Sequence, residues 1–163
     1  MQILNHKQIE QKIQRIAIEI IEHNLGEKEI ILAGINNNGM HFAELLMNEI
    51  LANSEIDIIL TRIKLNPAEP LKEEVLLEMP VEDCEHKVLI IVDDVANTGR
   101  TIFYAFKPLL ETQLKKVEVA VLMDRTHKSF PIKVDYCGQA LATTLQQNIE
   151  VKIKGQRKAV LLE

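Results

Sequence analysis

Apolar residues recur at Ile9, Ile13, Ile16, Ile20 and Ile21, with Gln, Lys, Arg and Glu between them. This stripe has the period of a helix turn, so it predicts an amphipathic helix over residues 6–23. Asn24 and Gly26 supply its stop signal. The pattern then changes. Glu29-Ile30-Ile31-Leu32-Ala33 predicts a short apolar strand, residues 34–39 a polar loop, and Phe42, Leu45, Leu46 and Ile50 a second helix. Residues 56–65 read as a strand. Residues 66–80 hold three prolines and four glutamates and predict a long, mobile loop.

Val88-Leu89-Ile90-Ile91-Val92 gives the clearest strand signal, apolar at every position as buried parallel strands are. A helix is predicted over residues 101–110, with Pro108 near its end, and another apolar strand over 117–123. Residues 132–138 and 150–162 suggest further strands, the last pair a β-hairpin turning at Lys154-Gly155-Gln156. The alternation β-α-β-α-β predicts an α/β fold: a central, mostly parallel twisted sheet covered by flanking helices. Ligands of such sheets lie beyond the carboxyl ends of the strands, near the switch point of the strand order.

A chain of 163 residues fits one domain, 1–163, and can bury a core without staples. Cys84 and Cys137 stand far apart in no metal-binding pattern and read as reduced thiols. No apolar leader and no run long enough to span a bilayer is evident, so a soluble cytoplasmic protein without a membrane partner is expected. The net charge of −5 argues against nonspecific coating of nucleic acid. It is unevenly placed: −9 over residues 1–112 and +4 over residues 113–163. The basic C-terminal third can be a solvated surface or a face for phosphate-bearing partners.

The chemistry concentrates in one block. A buried strand delivers Asp93 and Asp94, then Val95, Ala96 and Asn97 lead to Thr98-Gly99-Arg100-Thr101 at a helix start. Backbone N–H groups there lack intrahelical acceptors and favour an anion. Gly99 lets the backbone approach a phosphate, and the hydroxyls of Thr98 and Thr101 can donate to it. Ionised Asp93 and Asp94 only accept hydrogen bonds, so they suit the vicinal hydroxyls of a sugar, directly or through Mg²⁺. Phosphate at one end and a diol at the other describe a ribose 5-phosphate. No P-loop or Rossmann fingerprint is present.

This block resembles the PRPP-binding motif (PRPP is phosphoribosyl pyrophosphate) of type I phosphoribosyltransferases. Residues 119–138, running Val-Ala-Val-Leu-Met-Asp-Arg-Thr-His-Lys-Ser-Phe-Pro-Ile-Lys-Val-Asp-Tyr-Cys-Gly, resemble the hood of the PyrR family, pyrimidine-operon RNA-binding attenuators with uracil phosphoribosyltransferase activity. The resemblance covers nearly the whole chain. It implies a type I phosphoribosyltransferase fold with a small C-terminal hood at about residues 124–163. It implies that Asp93 and Asp94 bind the ribose hydroxyls, with Mg²⁺ carried near them by PRPP rather than ligated directly. Val95, Ala96, Asn97, Thr98, Gly99, Arg100 and Thr101 would cradle the phosphate. Asn36, Asn37, Asn38 and Gly39 would line the pyrophosphate site, and residues 66–80 would close over it. Arg62, Asp93 and Asp94 would carry catalysis, and the protein would form a homo-oligomer, a dimer or larger.

The departures from the family pattern bear on turnover. Asn36-Asn37-Asn38 stand where the family carries a Thr-Arg pair, so positive charge is missing. Thr61-Arg62-Ile63-Lys64 replaces Tyr-Arg-Asp-Asp, keeping Arg62 and losing both acids. Ala96-Asn97 replaces Leu-Tyr, and Thr126 stands at a Gly position. Arg100 can contact phosphate or pair with an acid. His127 is a surface residue or a base or RNA contact, and Arg125, Lys128 and Lys133 are solvated cations or RNA contacts. His23, His41 and His86 lack metal-ligand spacing. Three functions remain open: an enzyme joining PRPP to a nucleobase, uracil foremost, with uracil or UMP the expected small molecule; a nucleotide-sensing, RNA-binding regulator of pyrimidine genes; and a binding subunit with neither chemistry nor RNA.

Overall fold

The computed structural model describes residues 1–144 and 146–163. In chain order the elements are β1 (Gln2–Leu4), α1 (His6–His23), β2 (Glu29–Ile35), α2 (Asn36–Asn53), β3 (Asp57–Lys64), β4 (Leu76–Leu77), β5 (Val88–Ala96), α3 (Arg100–Ala105), β6 (Lys116–Arg125), β7 (Tyr136–Leu141), β8 (Ile149–Lys152) and β9 (Ala159–Leu162). Short 3₁₀ turns at Val81–Cys84 and Lys107–Glu111 precede β5 and β6. The main sheet has six strands in the order β4-β3-β2-β5-β6-β7, all parallel except the edge strand β4.

The unbroken apolar strands have a physical cause. Side chains alternate across a strand, and here both faces are covered. Ile30, Leu32, Val88, Ile90, Val92, Ala120 and Leu122 pack against Ile9, Ile13, Ile16 and Ile20 of α1 and Phe42, Leu46 and Ile50 of α2. Ile31, Ala33, Ile35, Leu89, Ile91, Val119 and Val121 meet Ile102, Ala105 and Leu109 on the other face. Asn5 opens α1 with a capping box: its side chain accepts the Gln8 N–H, and Gln8 accepts the Asn5 N–H, each at 2.9 Å. Below the sheet, the Tyr136 hydroxyl donates to Glu118 at 2.8 Å and Asn24 Nδ2 donates to Glu118 at 3.2 Å, tying the end of α1 to β6 and β7. Burial and the Glu118 carboxylate push the Tyr136 phenol far above its ordinary range.

Several sequence expectations change. No loop occupies residues 34–39: β2 runs on to Ile35, and α2 starts at once with Asn36. The expected helix over 101–110 is six residues of α3 followed by the 3₁₀ turn, because Pro108 has no N–H to continue the ladder. The expected loop 66–80 carries β4, paired to β3 at Ile63↔Leu77 and Lys64↔Leu76. The strand expected over 132–138 begins at Tyr136, and Asp135 just before it meets Val119 twice: its N–H donates to the Val119 carbonyl and its carboxylate accepts the Val119 N–H, each at 2.9 Å. The β8–β9 hairpin lies in a second sheet of order β1-β9-β8, so the small sheet draws one strand from the N-terminus. Three residues at the chain start carry too little pattern to reveal β1.

Two glycines set how α2 meets the sheet. A Cβ on Gly34 would lie 2.4 Å from the Met40 Cα, and one on Gly39 would lie 2.5 Å from the Val92 carbonyl oxygen. Each partner is backbone, which cannot swing away, so the helix start sits directly on β2 and β5. Gly34→Ala should therefore destabilise the protein by about 1–3 kcal/mol, as overpacking does. A lowered urea midpoint with unchanged slope would show it.

Candidate active site

The main sheet's order reverses between β2 and β5: the chain steps from β2 outward to β3, then from β5 the other way to β6 and β7. The carboxyl ends of β2 and β5 therefore diverge, and a crevice opens between them. An open cleft of about 430 Å³ lies there, lined by Ile35, Asn36, Asn37, Asn38, Pro67, Asp93, Asp94, Val95, Asn97, Thr101 and Ile149. Next to it, residues 95–102 enclose a hollow of about 40 Å³, room for one compact group.

Asp93 is only 9% exposed. Its carboxylate accepts the Asp94 N–H at 2.9 Å, and the Asp94 carboxylate accepts the Val95 N–H at 2.8 Å. Burial, then the adjacent Asp94 carboxylate, push the Asp93 carboxyl well above the usual range. No lysine or arginine stands among the described residues that line the larger cleft. A diol or a bound cation would supply the partner these carboxylates lack.

The loop beyond them is held from the hood side. The Thr98 carbonyl accepts N–H groups of Ser129 at 2.9 Å and Phe130 at 3.2 Å. Gly99 has φ +87°, and a Cβ there would lie 2.6 Å from Ile132 Cγ1. Only glycine satisfies both the left-handed backbone and the covering side chain. Among the described residues, none accepts the N–H groups of Asn97, Thr98 or Gly99. Those amides border the hollow. A hollow with free amides beside paired carboxylates can hold a phosphate and a diol together.

Comparison with known proteins shows the family and the fold. The phosphoribosyl transferase domain matches residues 1–152. The bifunctional protein PyrR of Bacillus pumilus is 35% identical over 161 residues, covering 93% of this chain and 89% of that protein. That of Clostridium acetobutylicum is 35% identical over 163 residues, covering 94% and 90%. The chain belongs to the phosphoribosyltransferase family. A solved hypoxanthine phosphoribosyltransferase of Trypanosoma cruzi shares the fold, with a TM-score of 0.81 at 15% identity over 99% of this chain and 95% of that one.

Within this phosphoribosyltransferase, the residues singled out from sequence fall into three groups. Asn36, Asn37, Asn38, Asp93, Asp94, Val95, Asn97 and Thr101 meet at the cleft, and Ala96, Thr98, Gly99 and Arg100 border the hollow. Gly39 is buried inside α2 and lines neither. Arg62 also stands apart, on β3, with Nη1 3.5 Å from Glu78 Oε1.

Asn36 lines the cleft with its side chain already engaged. Its φ is +50°, a left-handed value that Asn tolerates better than most side chains. Its Nδ2 donates to the Leu65 carbonyl at 2.9 Å, and its Oδ1 accepts the Leu65 N–H at 3.1 Å. The amide therefore pins Leu65, just before residues 66–80. Arg100 borders the hollow and pairs with no acid among the described residues; its Nη2 donates to the Ala68 carbonyl at 2.6 Å. Arg125 donates to Thr143 Oγ1 at 2.5 Å and to the Thr144 carbonyl at 2.7 Å, and Lys128 contacts Asp124 and the Arg125 carbonyl. Lys133 lies 3.5 Å from Asp135, and His127 is exposed. Pro67 and Ile149 join the cleft without a sequence signal that marks them.

Because folding raises the Asp93 value, the folded protein binds more protons than the unfolded chain between the ordinary and the elevated value. That contribution to stability is lost as pH rises through this window. Asp93→Asn removes the loss and keeps the acceptor for the Asp94 N–H. The ligand-free variant should be more stable at neutral pH by about 1 kcal/mol, typical of one stabilising substitution. Urea titrations should show the two proteins converging toward about pH 4, where the carboxyl regains its proton.

Proposed function

We propose that this protein transfers the phosphoribosyl group of PRPP to a nucleobase, uracil foremost, and releases pyrophosphate. The observation that carries the reading is that the cleft of the Asp93–Asp94 pair adjoins the hollow bordered by the Asn97–Gly99 amides, with Val95, Asn97 and Thr101 lining both. The matching PyrR relatives and the family resemblance of the hood support uracil as the base.

The residues act mainly by position. Free amides and the hydroxyls of Thr98 and Thr101 would fix the 5-phosphate, so the ribose lies with its diol toward Asp93 and Asp94. Those carboxylates accept from the two hydroxyls and set the anomeric carbon facing the cleft. Residues 66–80, already touching the cleft through Pro67, would exclude water from the cationic sugar formed as pyrophosphate leaves. Mg²⁺ fits this site, because two carboxylates stand there with an elevated Asp93 and no neighbouring cation among the described lining residues. Bound with PRPP near Asp93 and Asp94, it would neutralise the leaving pyrophosphate. Much of the acceleration would come from orientation and electrostatic preorganisation.

A second reading is a nucleotide-sensing regulator that binds RNA. Two observations favour it: the Asn36 amide is engaged with Leu65, and a groove of about 520 Å³ is bordered by His6, Lys7, Arg157 and Lys158. RNA affinity that falls steeply with salt would support it. Among the described residues no helix is long and apolar enough to cross a membrane. We place the protein in the cytoplasm as a homo-oligomer, following the family.

Incubation with PRPP, Mg²⁺ and a panel of bases, with pyrophosphate release as readout, separates the readings. Turnover with uracil is expected. Asp94→Asn should slow it about 10-fold or more, on the scale of losing one positioned polar contact. Unchanged kcat/KM in that variant would remove Asp94 from the site, and nucleotide binding without turnover would favour the regulator.

A further inference from the structure

The cleft bears two carboxylates, and no lysine or arginine stands among its described lining residues. A nucleoside 5′-monophosphate brings one phosphate, which the amides of the hollow can meet. PRPP brings a pyrophosphate as well, and that group needs cations. Cations do stand on the adjoining elements: Arg125 of β6 reaches Asn97 Oδ1 at 3.5 Å, and three others, Arg62, Lys64 and Arg100, are engaged by one segment, residues 66–80. Arg62 Nη1 and Lys64 Nζ both reach Glu78 Oε1, at 3.5 and 3.3 Å. Arg100 donates to Ala68 of the same segment.

Glu78 is held in place by backbone. Its N–H donates to the Arg62 carbonyl at 2.9 Å, and the next N–H, of Met79, donates to Thr61 Oγ1 at 3.2 Å. The guanidinium it holds is poorly satisfied: Arg62 Nε is buried with no partner. A planar fork of five donors meets one carboxylate oxygen at long range, well short of a bidentate contact. Arg62 is level with Gly34, and Gly34 with Val92, the residue before Asp93. Two strand spacings, roughly 10 Å, separate it from β5, and the intervening Gly34 has no side chain. Partly exposed pairs of this kind are weak, so a pyrophosphate can displace a lone carboxylate.

We infer that Glu78 is a charge-selecting latch: it holds Arg62 and Lys64 from the site until a pyrophosphate displaces it. The ligand-free site then takes a nucleoside monophosphate without rearrangement, whereas PRPP binds only by breaking the latch. This rests on the reading of the cleft as a PRPP site. Glu78 is a specificity-determining residue acting through Arg62 and Lys64, and it touches neither ligand itself.

Calorimetric titration of the full chain with PRPP and with UMP, in Mg²⁺, tests it. Glu78→Gln keeps the size of the side chain and removes its charge. PRPP should bind about three- to tenfold more tightly, the scale of freeing two weak ion pairs, while UMP affinity stays the same. The gain should vanish when Glu78→Gln is combined with Arg62→Met and Lys64→Met. In turnover assays the same gain should fall on KM for PRPP rather than on kcat. Wild-type protein that binds UMP and PRPP, paired with a variant of unchanged PRPP affinity, overturns the latch and leaves the site reading intact. Equal tightening of both ligands, or a gain that survives loss of Arg62 and Lys64, also overturns it. Wild-type protein that binds neither ligand overturns the site reading and the latch together.

Discussion

Two carboxylates share the end of a strand that is buried on both faces, and no lysine or arginine stands among the described residues that line their cleft. Water cannot fully solvate Asp93, and Asp94 repels it, so the Asp93 carboxyl is driven toward its protonated form. The free protein carries this as strain, of the kind often found where a site is shaped for a ligand rather than for stability. A sugar diol relieves part of it by donating hydrogen bonds, and a cation relieves the rest.

The fold holds that arrangement by backbone contact more than by side chains. Gly34 and Gly39 let α2 begin directly on β2 and β5, so the Asn36–Asn38 turn faces the acid pair across the switch point. Hydrogen bonds from Ser129 and Phe130 to Thr98, and the cover of Ile132 over Gly99, set the loop that presents the free amides. The hood is thus fastened to the phosphate hollow, and a change in one would be felt in the other. Residues 66–80 are tied to their surroundings by Arg100 at Ala68, by Arg62 and Lys64 at Glu78 and by the pairing of β4 with β3, and Asn36 holds Leu65 just before them. This segment therefore connects the positive charge around the site to its own position.

Phosphoribosyl transfer and nucleotide sensing need the same grip on ribose and phosphate. They differ in whether cations can reach the pyrophosphate. In this chain the cations next to residues 66–80 are Arg62 and Lys64 of β3 and Arg100 of the Asp93–Thr101 block, each in contact with that segment.

That block was legible from sequence because its parts are local. A strand that must be apolar on both faces, two acids where it leaves the core, and a Gly at a left-handed turn are each marked by residue type within a dozen positions. The same holds for α1, whose stripe and cap fix its limits, and for the strand alternation that sets the fold class. The Gly34–Gly39 segment misled for a local reason: its polar, glycine-rich composition is also that of a loop. Only the packed helix reveals that both glycines serve close approach. The partners of Asn36, Arg100, Arg62 and Lys64 were beyond reach, since each depends on where a distant backbone atom or carboxylate comes to rest. The amino-acid order by itself determined the longer elements, α1, β2, β5 and β6, and their buried faces. Which amides stay free and which cations are occupied was decided by tertiary structure, because hydrogen bonds and ion pairs form between groups that only folding brings within a few ångströms.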